Sequence, residues 1–191
     1  VKDCITIKTE SVWERKLKKI LKPKLIFKVL RGNKIVVFCD INGDFLTTSN
    51  VSNIILKNEY NNLLLTLEFI FNTPLLSFYA QKMLFSETTE SARHWDDPYV
   101  GELPIKRDIS STFVEMSKKF VLYLHFLKKF YWDWYESKNV RDVNIQSIIN
   151  SIQELLNFLV YELYFKEKFA EDGIYPEPKE YPLEAVSKHL K

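Results

Sequence analysis

The chain has 191 residues, 46% hydrophobic and 15% aromatic, enough apolar side chain for a sizeable core, so wholesale disorder is excluded. No apolar run reaches the roughly 18–20 residues of a membrane span, and the opening VKDCITIKTE lacks the apolar stretch of a secretion signal. The net charge of +2 averages two unlike parts: residues 1–39 carry nine Lys and two Arg against three acids, whereas the remainder holds sixteen bases and twenty-two acids.

A front at +8 followed by a remainder at −6 points to a polyanionic partner for the first forty residues. Cys4 and Cys39 are the only cysteines, which suits reduced, buried thiols and a cytoplasmic location. The chain opens on Val1 rather than methionine, which suggests a piece of a longer protein.

Ser11-Val-Trp-Glu14 has the form of a capping box and predicts a helix ending by Leu21, before Pro23. On that helix Trp13, Leu17, Ile20 and Leu21 share one face, and Arg15, Lys16, Lys18, Lys19 and Lys22 share the other. Residues 24–56 predict three or four short strands, with turns at Gly32-Asn33 and at the stronger hairpin dipeptide Asn42-Gly43. Leu63 to Met83 predicts a buried helix interrupted near Pro74, which can open a second helix. A long polar loop follows over 86–101.

Thr112-Phe-Val-Glu115 reads as another capping box. It introduces a helix with a stripe of Phe113, Met116, Phe120, Leu124, Leu127, Tyr131 and Trp134. Asn144 should cap the next, striped by Ile145, Ile148, Ile149, Ile152, Leu155, Leu156, Leu159 and Leu163. The short link makes the two an antiparallel hairpin. The expected fold is therefore α+β: a small, mainly antiparallel sheet with packed helices, then a long helical hairpin. The expected divisions are 1–110, a helical hairpin over 111–175, and a proline-rich tail with a short helix over 176–191.

Catalytic signatures are sparse. Four glycines provide neither a phosphate-cradling loop nor a dinucleotide fingerprint. Asp40-x-Asn42-x-Asp44 imitates the start of a calcium loop, but Phe45 replaces the turn glycine and Val51 the bidentate glutamate, so a tight turn is expected instead. His94, His125 and His189 have no ligand partner at zinc spacing, and His125 is expected at a surface or core boundary. The methyltransferase tetrapeptide Asn/Asp-Pro-Pro-Tyr/Phe is absent. The chain by itself is expected to be non-catalytic.

Four pieces occur in order between Lys22 and Arg107: Pro23–Phe27, Asp40–Phe45 with Thr47-Thr48-Ser49, Phe71-Asn72-Thr73-Pro74-Leu75-Leu76-Ser77-Phe78-Tyr79, and Leu103-Pro104-Ile105. That order resembles the C-terminal specificity domain of TaqI-like adenine DNA methyltransferases and type IIG restriction-modification enzymes. The segment Leu159–Phe165 is similar to the terminal segment of the latter. The 113–169 hairpin is longer than such a domain requires, and could dock a catalytic domain or second subunit. The resemblance implies a target-recognition domain for double-stranded DNA, with S-adenosylmethionine bound by a catalytic domain elsewhere. It also implies that Asn72, Phe78, Tyr79 and Pro104 specify the fold.

Under that resemblance, the candidates for phosphate contact are Lys16, Lys19, Lys22, Lys24, Lys28, Arg31 and Lys34. Those for base edges are Arg93, His94 and Trp95, with Asn33, Lys106 and Arg107 behind them, because Arg pairs bidentately with guanine and Asn with adenine. The run Phe130-Tyr-Trp-Asp-Trp-Tyr135 cannot share one helix face, and is expected to divide between core and protein interface. Two other functions remain open: a protein-interaction scaffold working through the aromatic hairpin, and a small nuclease with an unrecognised carboxylate site.

Overall fold

The computed structural model describes residues 17–18, 20–28, 34–47, 51–85, 97–138 and 143–172. The Ser11 capping box, the Gly32-Asn33 turn, the Arg93-His94-Trp95 loop and the proline-rich tail lie outside them.

The fold is α+β. Strands β1 (Lys24–Lys28), β2 (Val37–Asp40) and β3 (Val51–Ile54) form an antiparallel sheet in the order β2-β1-β3. Leu25 pairs with both Cys39 and Ile54, and Phe27 with Val37 and Ser52. A 3-10 turn, Asn58–Leu63, leads into α1 (Leu64–Phe71), followed by α2 (Pro74–Tyr79), which runs on as a π turn over Ala80–Leu84. A short α3 (Asp97–Gly101) precedes the two long helices, α4 (Ser111–Lys138) and α5 (Val143–Glu171).

Alternation along β1 and β2 buries Leu25, Phe27, Val37 and Cys39 on one face, where α1 covers them. Helix α1 is buried at seven of its eight positions because α4 lies on its other side. Phe69 stacks on Phe113, and the Thr66 and Ser117 hydroxyls, both fully buried, meet at 2.8 Å. Pro74 opens α2 as expected, since its missing N–H falls where a helix has no internal acceptor to serve. One apolar core cluster has members from Leu25 in β1 to Val160 in α5.

Four local expectations are corrected: the loop expected over 86–101 is helical from Asp97 as α3, Asn144 lies inside α5 rather than at its cap, and two more concern a turn and a cap. Asn42-Gly43 does not join paired strands, because β2 and β3 lie on opposite sides of β1. The Asp40 carboxylate instead collects the amides of Gly43 (2.9 Å), Asp44 (3.0 Å) and Phe45 (3.0 Å), turning the chain away from the sheet. Gly43 has φ +77°, and a Cβ there would meet the Lys22 backbone at 2.7 Å, so only glycine fits. The cap of α4 is Ser110 rather than Thr112: the Ser110 hydroxyl accepts the Phe113 amide at 3.2 Å, and Thr112 sits inside the first turn.

Most of each hairpin stripe falls on the core side, but Trp134 of α4 and Ile148 of α5, expected on those stripes, are exposed. Phe113, Met116, Leu124 and Leu127 of α4 are buried, as are Ile149, Leu156 and Leu159 of α5. Helix α5 bends at Phe165 (φ −124°, ψ 25°). Just before the bend the Tyr164 hydroxyl donates to the Pro104 carbonyl at 2.6 Å, and Lys106 Nζ donates to the Leu163 carbonyl at 2.8 Å. Among the described residues no single helix is long and apolar enough to cross a membrane.

Candidate functional site

Strand β2 is an edge strand, and its outward amides would otherwise be open to pairing with another chain. Side chains from the end of α1 close that edge. Asn72 accepts the Val37 amide at 3.0 Å and donates to the Val37 carbonyl at 2.7 Å. One turn earlier, Glu68 Oε2 accepts the Cys39 amide at 3.1 Å. The two-residue strand period and the four-residue helix period coincide here, because 37 and 39 share an edge and 68 and 72 share a face.

The other oxygen of Glu68 lies 2.6 Å from His125 Nε2 on α4, and the His125 ring tilts against Phe38 at 5.3 Å. His125 is half-buried, as its boundary position suggested, but its pairing with a carboxylate 57 residues away was not foreseen. Burial, aided by the negative charges of Glu68 and Asp40, pushes the Cys39 thiol up to about 12.

Beside this junction is a groove of about 870 Å³ between the β2 edge, the α1–α2 corner and the helical hairpin. Helix α4 supplies His125, Lys128, Lys129 and Trp132, which share a face at spacings of three, four and seven residues. Lys34 approaches from the start of β2, and α5 supplies Gln153, Leu156 and Asn157. Among the described lining residues Glu68 is the single carboxylate, and it is already engaged by His125 and the Cys39 amide. The groove therefore has an apolar floor, an amide wall and a cationic rim.

The expected phosphate contacts separate on this frame. Lys24 is withdrawn: it is fully buried, and its ammonium lies 2.6 Å from Asp40 and 2.8 Å from the Ile20 carbonyl. Burial works to raise the Asp40 pKa. The Lys24 hydrogen bond, the Phe45 and Asp44 amides and the Lys24 charge outweigh it, so the carboxyl lies below its ordinary value. Lys22 is exposed beside the Gly43 turn, at one end of β1, and Lys28 is exposed at the other. Register places Lys28 at the end of the sheet where β2 begins, the end that carries Lys34. Lys16, Lys19 and Arg31 lie outside the described residues.

Of the expected base contacts, Arg107 is exposed, and the Lys106 ammonium is engaged by the Leu163 carbonyl. Asn33, Arg93, His94 and Trp95 lie outside the described residues. Missed from sequence were Lys128, Lys129 and Trp132. Their signal was the spacing His125-x-x-Lys128-Lys129-x-x-Trp132, one polar face interrupting an otherwise aromatic helix. Among the described residues no group of three His, Cys, Asp or Glu could hold a metal ion. No protein-family model matches the chain, and comparison with curated proteins gives no match.

Proposed function

We propose that this chain is a non-catalytic DNA-recognition module, the target-recognition part of an adenine-specific methyltransferase or type IIG restriction-modification protein. S-adenosylmethionine and the methyl-transfer chemistry would belong to a catalytic domain elsewhere. The observation that carries the polyanion part of this reading is the shared rim: Lys34, Lys128 and Lys129, drawn from segments over ninety residues apart, border one groove in which Glu68, the single carboxylate among the described lining residues, is occupied. Lys28 extends the positive edge along the sheet. The order of motifs from Pro23 to Ile105 supports the narrower assignment to DNA target recognition.

The test is duplex binding as a function of salt. Counterion release makes log affinity fall linearly with log salt, by about 0.9 for each phosphate neutralised. Replacing Lys128 and Lys129 together by glutamine should lower that slope by about two and weaken binding to all sequences alike. No duplex retention at about 50 mM salt, or a slope indifferent to the double change, refutes the reading.

A second reading, a protein-interaction module, is favoured by the outer face of α4. Tyr123, Phe126, Phe130 and Trp134 recur there at spacings of three and four, and each is between 38% and 62% exposed. A stripe of this kind marks a partner surface. Under the first reading it would seat the catalytic domain. Phe126→Ser with Phe130→Ser should then abolish assembly with that domain while leaving DNA affinity unchanged.

A further inference from the structure

The groove is too small to admit a double helix, yet at about 870 Å³ it lies within the ordinary range of small-ligand sites. We propose that it holds one unpaired nucleotide of a bound strand, with the base against Trp132 and the phosphate on Lys34, Lys128 and Lys129. The inference rests on the nucleic-acid reading above and adds to it a site for a base that has left its stack.

Three observations carry it. The five aromatics between Phe130 and Tyr135 divide by helix geometry, and Trp132 alone among them lines the groove, while Phe130 and Trp134 belong to the outer stripe. Trp132 is 56% exposed, with Tyr135 beside it at 5.8 Å, so a broad indole surface remains open to stacking. Indole surfaces accept any base, because every base has a π face.

The second observation is charge. Lys128 stands one turn before Trp132 on the same face, with Lys129 next to it and Lys34 across the groove, so the cations border the aromatic surface. Lysine is a compact point charge suited to phosphate oxygens.

The third is the opposite wall, where α5 presents the amides of Gln153 and Asn157. An aliphatic acid would satisfy the lysines but would cover these amides with nothing to bond to, at a desolvation cost. The edge of an unpaired base offers both donors and acceptors, whereas a base pair has consumed most of them.

The test compares three probes by fluorescence anisotropy at low salt: an eight-residue thymidylate strand, an abasic strand of the same length, and a blunt DNA duplex. The thymidylate strand should bind about tenfold tighter than the abasic one. Trp132→Ala should erase that difference without changing abasic affinity, Trp132→Phe should restore most of it, and circular dichroism should show both variants folded. Lys128→Gln should weaken both strands equally. Equal affinity for the thymidylate and abasic strands, or a preference that survives Trp132→Ala, overturns the proposal. If duplex binding remains salt-dependent in that event, the recognition reading stands without it. Failure of all three probes to bind removes both.

Discussion

Glu68 and His125, 57 residues apart in the chain, meet at 2.6 Å, and the remaining oxygen of Glu68 holds the Cys39 amide. One carboxylate thus joins the long helix α4 to the rim of the sheet. Glu68→Ala should leave the buried Cys39 amide without an acceptor and destabilise the protein by about 2–4 kcal/mol. Glu68→Gln keeps an acceptor for that amide and should cost about half as much. Equilibrium unfolding in urea measures both, and equal losses would mean that the Cys39 contact contributes little.

Asn72 should act as a guard against self-association. Removing its side chain in Asn72→Ala frees both the N–H and the C=O of Val37 on an edge strand. The expected loss is about 1–2 kcal/mol, accompanied by concentration-dependent dimers in sedimentation velocity. A monomer at all concentrations would show that the neighbouring bulk, not the hydrogen bonds, protects the edge.

Lys24 and Asp40 form an ion pair with side-chain exposures of 0% and 2%. Lys24→Met should cost about 3–5 kcal/mol, because it leaves a charge buried without its partner. The pair also sets an acid limit. The folded-state pKa of Asp40 is lower than its unfolded value near 3.8, so the unfolded chain binds the proton more readily. Its contribution is complete above the unfolded value and disappears as pH falls through the folded one. In Asp40→Asn the dependence of stability on pH below 4 should flatten, as thermal melts across that range will reveal.

Glu162 behaves in the opposite sense. It is 6% exposed on α5, and burial raises its pKa above the ordinary 4.5 despite the opposing charge of Lys166. A raised folded value means that the native state binds the proton more readily. Stability from this group is therefore greatest at low pH and is lost as pH rises through the folded value. Glu162→Gln should raise the melting temperature at pH 7 by on the order of a few degrees, with no gain near pH 3. An equal gain at both pH values would locate the effect in packing rather than charge.

Much of this architecture is legible in the chain because it obeys short-range periods. The stripes from Phe113 to Leu127 and from Ile149 to Leu159 repeat every three or four residues, and that repeat alone orients both long helices. Pro74 marks the α1–α2 break for an equally local reason. Lys24 resisted because its burial depends on Asp40, sixteen residues away across a strand pair. Strand alternation says that a side chain points inward, but not that a carboxylate waits there. The order β2-β1-β3 is hidden for a related reason: Asn42-Gly43 specifies a bend, whereas Glu68 and Asn72 decide which sheet edge is already occupied. The groove required knowing which α4 face meets the sheet, a tertiary fact that no helical period contains.

The Cys39 thiol, buried at 2% exposure and pushed up to about 12, has a chemical consequence. At neutral pH the Cys39 thiolate is scarce, so alkylating agents and mild oxidants should pass over this thiol in the native fold. Labelling can proceed only after β2 parts from α1. In a Cys4→Ser background, this single thiol becomes a clock for breathing at the strand, timed by nothing more than the slow uptake of iodoacetamide.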